Sequence, residues 1–159
     1  MERTFGKDPW AIECIGCDQL EEEADASLFN VGNGNLGVRG FADYDHRHSG
    51  VFLNGVFETE PILYPENSFG NAKNHQVIAS LANPIALTLH INGKLLDAES
   101  PNLTDQKCRL DLASGLLHRE TTWITAEGES LSLSCERFVS LERNDLLCIR
   151  WQVSGEAVR

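Results

Sequence analysis

"ESLSLSCERFVSLERNDLLCIRWQV", residues 129–153, is the stretch on which the fold turns. Leu131, Leu133, Cys135, Arg137 and Val139 share one face of an extended chain and Phe138 lies opposite, the period of two expected of a half-buried strand. "ERND" at 142–145 has turn composition, and then Leu147, Ile149, Trp151 and Val153 resume the alternation with Arg150 and Gln152 on the other face. Two neighbouring segments therefore read as strands separated by a turn.

Working outward, "GLLHRETTWITAEGES" (115–130) reads as a strand rich in Thr and Trp that ends in a Glu-Gly turn and pairs with its successor. In "PIALTLHINGKLLD" (84–97), Ile85, Leu87, Leu89 and Ile91 alternate until Asn92-Gly93, the dipeptide of a two-residue hairpin turn. "SGVFLNGVFETE" (49–60) is a further β-rich run interrupted by Asn54-Gly55, and "TEPILYPENSFGNAKNHQ" (59–76) reads as a long surface loop. No dozen residues carry a helical apolar stripe, and "DQLEEEADASL" (18–28) suits a short helix or a loop equally. Short strands recurring every ~8–12 residues with turns between them predict an all-β antiparallel sandwich. The last strand, in "RWQVSGEAVR" (150–159), is expected to form an edge open to another chain.

The 159 residues, 42% hydrophobic and 23% charged, suit one globular domain with a core of its own. The net charge of −11, from 24 acids against 13 bases without a basic patch, argues against nucleic acid as a partner. The sequence shows no cationic start followed by an apolar run and no stretch of ~18 apolar residues, so neither export nor membrane spanning is expected. Five cysteines without an export signal read as thiols of a cytoplasmic protein. Cys14 and Cys17 form a lone C-x-x-C, short of the second pair that zinc needs.

"LFNVGNGNLGVRG" (28–40) is the densest candidate site. Gly32, Gly34 and Gly37 match the spacing of a dinucleotide loop, but no helical period follows and no Lys-Ser or Lys-Thr stands behind them. Two readings remain: a tight strand connection, or a loop whose Asn33, Asn35 and Arg39 supply amides and a guanidinium fork to sugar hydroxyls or to a carboxylate. "FADYDHRH" (41–48) reads as a polar surface turn with Asp43 and Asp45 on one side and Tyr44, His46 and His48 on the other. The two histidines could ligate a metal, but alternating polar residues explain them without one. Glycoside chemistry needs a placed carboxylic acid with a second carboxylate or another nucleophile opposite, and 24 acids offer no pair that can be singled out. Neither a catalytic residue nor a metal site is assigned.

Five segments taken together resemble glycoside hydrolase family 65, the family of maltose, trehalose and kojibiose phosphorylases. "DASLFNVGNGNLGVRG" is similar to its E-[ST]-L-F-x-x-G-N-G-x-x-G-x-R-G signature, departing from it at Asp25-Ala26-Ser27. "SGVFLNGVFE", "LANPIALTLHINGKLLD", "CRLDLASGLLHRETTW" and "CERFVSLERNDLLCIRWQV" follow in the family's order, with Leu53-Asn54 a second departure. The resemblance covers about residues 10 to 153 and implies a galactose-mutarotase-like N-terminal sandwich, unfinished at Arg159. It also implies an (α/α)6 barrel elsewhere on the same polypeptide, holding the general-acid glutamate and the phosphate site. Residues 1–159 would then be a non-catalytic sandwich domain that supports the barrel, with Asn33, Asn35 and Arg39 facing it. The parent enzyme would take an α-linked disaccharide, use inorganic phosphate if it is a phosphorylase, need no cofactor, and could be a homodimer. The alternative is a stand-alone carbohydrate-binding or assembly module in which Trp123 or Trp151 stacks on sugars.

Overall fold

The computed structural model describes residues 4–16, 22–44, 48, 50–66, 68–91, 93–96, 103–125 and 127–155. In chain order these form β1 (Thr4–Phe5), β2 (Ala11–Ile15), α1 (Glu22–Leu28), β3 (Val31–Gly32), β4 (Leu36–Val38), β5 (Val51–Pro61) and β6 (Asn74–Ser80). There follow β7 (Leu89–Ile91), β8 (Lys94–Leu96), β9 (Leu103–Asp111), β10 (Leu116–Ile124), β11 (Ser130–Val139) and β12 (Leu147–Gly155).

One layer is a six-stranded sheet in the order β1-β2-β9-β10-β11-β12, every neighbour antiparallel. Its inner face carries the residues that the alternation singled out: Leu131, Leu133, Cys135, Arg137 and Val139 of β11 are all buried, as are Leu117, Arg119, Thr121 and Trp123 of β10. Full burial of an aliphatic side chain such as Leu131 contributes ~1.5–3 kcal/mol. This face therefore supplies much of the drive to fold.

The opposing layer is split in two. The four-stranded sheet β3-β4-β5-β6 covers one end, where Val31, Val38 and Val51 pack with Cys14, Cys108, Leu110, Leu117 and Val139. The β7-β8 hairpin covers the other end, where Leu89 and Leu96 join a cluster of Tyr44, Trp123, Leu131 and Leu133. The all-β antiparallel sandwich expected from the sequence is the fold.

Several local expectations change. The 84–97 hairpin is shorter: strand pairing starts at Leu89, and Ile85 instead enters the core from a turn. Asn54-Gly55 does not break its strand. β5 runs through it with a register shift between Phe52 and Phe57, and Gly55 at φ 89° takes up the distortion as a bulge residue. The long loop at 59–76 is a β-ribbon at both ends, since β5 extends to Pro61 and β6 begins at Asn74. The acidic segment resolves as helix α1, whose Ala26 and the following Phe29 are buried. The 41–44 segment is no surface turn, because Phe41, Ala42, Asp43 and Tyr44 are all buried between the layers. Asp45 and His46 lie outside the described residues, as does Cys17 of the C-x-x-C.

Candidate functional site

The loop between β3 and β4 is a two-strand turn whose side chains bind the other layer. Asn33 Oδ1 accepts from the backbone N–H groups of Asn35 (2.9 Å) and Leu36 (2.8 Å), an Asx turn that shapes the tip. Asn33 Nδ2 donates to the carbonyls of Ser140 (2.7 Å) and Asn144 (3.2 Å), and Asn35 Nδ2 donates to Asn144 O (3.1 Å). Ser140 and Asn144 belong to the β11-β12 connection, so these two amides fasten the loop to the far sheet. On the third side, the Asn54 N–H donates to Asn35 O (2.7 Å) and Asn54 Nδ2 donates to Gly34 O (3.2 Å).

Arg39 points elsewhere. Its guanidinium donates to Glu23 Oε2 (2.8 Å), to Glu23 O (2.9 Å) and to Ser27 Oγ (2.7 Å), and it lies 4.8 Å from the centre of the Phe41 ring. The fork therefore holds α1 against the end of β4. The carboxylate partner imagined from the sequence exists, and it is Glu23 of the same chain.

Two arginines lie on the inner face, Arg137 where the alternation had placed it and Arg119 on β10, and their role was not disclosed by the sequence alone. Arg137 is 1% exposed and pairs with Asp43 at 3.2 Å, while its Nη2 donates to the carbonyls of Arg39 (3.1 Å) and Phe41 (2.9 Å). Arg119 Nη2 donates to Gly40 O. Burial pushes the Arg137 pKa down and the Asp43 charge pulls it back up. Together they hold residues 39–43 against the inner face of the six-stranded sheet. The signal available in the sequence was an arginine at a core position of a strand, which demands a buried partner.

On the side of β3-β4-β5 away from the core lies a trough of about 410 Å³ lined by Ser27, Asn30, Asn35, Arg39, Phe52 and Ile78, among others. Gly32, Gly37, Phe52 and Ser80 form one row across the four strands, so two adjacent positions of the floor have no side chain. Of the three residues singled out from the sequence, Asn35 and Arg39 line this region, whereas Asn33 does not and is turned to the β11-β12 connection.

Other sequence candidates behave differently. Trp123 is fully buried, edge-on to Tyr44 with ring centres 5.1 Å apart, and cannot stack on a sugar. Trp151 on the edge strand β12 is 37% exposed. His48 stacks on Phe41 with ring centres 4.6 Å apart. No group of three metal-ligating side chains occurs among the described residues. Cys14, Cys108 and Cys135 are buried thiols, and desolvation raises the pKa of Cys108 and Cys135, which makes both unreactive. None of the described helices is long and apolar enough to cross a membrane.

Comparison with known proteins supplies the context for this scaffold. Over 131 residues the chain is 29% identical to the α,α-trehalose phosphorylase of Thermoanaerobacter brockii, a match covering 77% of this chain and 17% of that one. Over 126 residues it is 27% identical to the kojibiose phosphorylase of Escherichia coli strain K12, covering 78% of this chain and 15% of that one. A solved structure of a putative kojibiose phosphorylase from the human microbiome superposes with a TM-score of 0.86 at 22% identity, over 97% of this chain and 21% of that one. The chain thus spans about a fifth or less of each of these proteins. Residues 14–157 match the family described as Glycosyl hydrolase family 65, N-terminal domain. With nine-tenths of its length inside that match and the same sandwich in a related structure, the chain belongs to the N-terminal domain family of glycosyl hydrolase family 65.

Proposed function

We propose that this chain is the N-terminal β-sandwich of a cytoplasmic disaccharide phosphorylase or hydrolase, supporting an (α/α)6 catalytic barrel on the same polypeptide and cleaving nothing alone. The observation behind this is the match of residues 14–157 to an N-terminal domain, in a chain that spans about a fifth of the phosphorylases it is similar to. The parent reaction is attack on the anomeric carbon of an α-linked glucoside with inversion. One carboxylic acid protonates the leaving oxygen, and inorganic phosphate as co-substrate is itself the nucleophile, so phosphorolysis needs no second carboxylate to activate water. No cofactor enters this chemistry.

Within that enzyme the Asn33, Asn35 and Arg39 loop stands at the face turned toward the barrel, either near its sugar-binding mouth or in the packing between domains. The sandwich contributes rigidity: its loop is tied to the far sheet by three side-chain amide hydrogen bonds and to α1 by the Arg39 fork. The test is to assay the 159-residue chain and the full native gene product with maltose, trehalose and kojibiose, with and without phosphate. Release of glucose 1-phosphate or glucose by the longer product only is the expected result. Turnover by the 159-residue chain would overturn the proposal.

A further inference from the structure

We propose that Asn54 is a site of spontaneous deamidation, a modification that the fold withholds from its neighbour Asn33. Asn-Gly dipeptides occur at 33–34, 54–55 and 92–93, and Asn92 lies outside the described residues. The reaction needs no co-reactant but water. The backbone nitrogen of the glycine attacks Cγ of the asparagine, the proton of that nitrogen leaves with Nδ2 as ammonia, and a five-membered imide closes. Water then adds to one of the two imide carbonyls and opens the ring as aspartate or as isoaspartate. Glycine favours the first step, because no Cβ shields its nitrogen and its backbone turns freely. What decides between two such pairs in a folded chain is whether the side chain and the glycine nitrogen are free to meet.

The structure separates the two described pairs. Asn33 is half-buried, and its carboxamide makes four hydrogen bonds: Oδ1 accepts from the N–H groups of Asn35 and Leu36, and Nδ2 donates to the carbonyls of Ser140 and Asn144. Swinging Cγ toward the Gly34 nitrogen gives these up, and the leaving ammonia is itself held at two of them. Asn54 is exposed, and its carboxamide makes one bond, from Nδ2 to Gly34 O at 3.2 Å. Among the described residues nothing donates to its Oδ1. Gly55 follows in the bulge, at φ 89° and between Phe52 and Phe57, where the β5-β6 register is interrupted and no residue of β6 is matched to it. A Cβ built on Gly55 would meet nothing within 4 Å, so this stretch of backbone has open space beside it in which to rearrange.

The product bears on the loop between β3 and β4. A carboxylate at position 54 has no donor for Gly34 O and adds one negative charge to a chain already at −11. Isoaspartate also inserts a methylene into the main chain of β5 inside the bulge. Of the two bonds by which Asn54 holds the loop, the one from its side chain is lost and the one from its N–H to Asn35 O remains.

Peptide mapping by mass spectrometry follows each site in the native gene product, kept folded in mildly alkaline buffer or unfolded in guanidinium chloride. The ratio of unfolded to folded rate at each asparagine is the protection that the fold provides. Four hydrogen bonds at the low end of their net worth should slow Asn33 by about 30-fold or more, and one bond should slow Asn54 by no more than about 5-fold. Isoaspartate at position 54 should therefore accumulate in the folded protein well ahead of position 33. Equal protection at the two sites, or reaction at Asn33 ahead of Asn54 in the folded protein, would overturn the proposal.

Discussion

Replacing Asp43 by Ala probes the device that joins the two layers. The carboxylate lies 3.2 Å from Arg137 Nη1, and the two side chains are 2% and 1% exposed. At that separation an effective dielectric of ~20 gives an attraction of ~5 kcal/mol. Removing one partner strands the other charge in the core, a change that costs ~3–5 kcal/mol in buried pairs. Arg137 keeps the carbonyls of Arg39 and Phe41 as acceptors, so the lower end, ~3 kcal/mol, is expected. Against a domain stability of ~5–15 kcal/mol that is a large share. With a urea m-value of ~1–3 kcal/mol/M the unfolding midpoint should fall by ~1 M or more at constant m. The control is Asp145→Ala, whose partner Arg143 is exposed and 3.6 Å away, and which should cost under ~1 kcal/mol. Replacing both Asp43 and Arg137 by Leu should recover much of the loss, since the penalty is the unpaired charge. If Asp43→Ala loses no more than the exposed control, the pair is not what holds residues 39–43, and the account of the split layer is wrong.

Asn33→Ala removes four hydrogen bonds and should cost ~2 kcal/mol, whereas Asn35→Ala removes one exposed side-chain bond and should cost ~0.5 kcal/mol; paired urea titrations of the two variants check the ratio, and equal losses would contradict the bracing role of Asn33. Gly40→Ala would place a Cβ 2.7 Å from both Cβ and O of Phe29, where the end of α1 and the Arg119-bound segment cross, and overpacking of this kind should cost ~1–3 kcal/mol by thermal melt. Stability should also fall in acid. The Asp8 carboxyl is held below its usual range by its hydrogen bond from Arg109 and the backbone N–H of Trp10, and Asp111 by the backbone N–H and hydroxyl of Ser114. A depressed folded-state pKa means that the contribution is present above the unfolded carboxylate value and is lost as pH drops through the folded one. Asp8→Asn with Asp111→Asn should therefore flatten the melting temperature between pH 5 and pH 2, and an unchanged slope would rule these two groups out as its source.

The period of two was enough to place β11 and β12, and Thr and Trp content placed β10, because a strand with one buried face records its burial in its own residues; β9 went unread. Even Arg137 and Phe138 fell on the correct faces. The opposing layer was harder to read for a physical reason: β3, β4, β7 and β8 are two or three residues long, too short for an alternation to register. There the chain is held by tertiary bonds that no local pattern reports. Asp43 and Tyr44 look like turn residues until Arg137, 94 positions after the first, and Trp123, 79 after the second, are brought against them. The Asn-Gly loop was legible as a site of unusual amide density, but its partners, the carbonyls of Ser140 and Asn144, are backbone atoms that carry no residue signature.

The same bonds decide what kind of surface the loop can make. A flexible glycine loop with unpaired amides could close over a ligand and adjust to it, and ordering it on binding would consume part of the affinity. Here the tip is already fixed on three sides, by the β11-β12 connection, by Asn54 and by its own Asx turn, before anything docks. A preorganised surface suits a permanent contact, in which rigidity costs nothing further at each catalytic cycle. It suits poorly a substrate that must enter and leave past amides that cannot turn toward it. The geometry of the asparagines, more than their number, therefore makes this loop a rigid element of the sandwich, and under the function proposed above it predicts that the affinity of the longer gene product for a disaccharide will change little with Asn35→Ala.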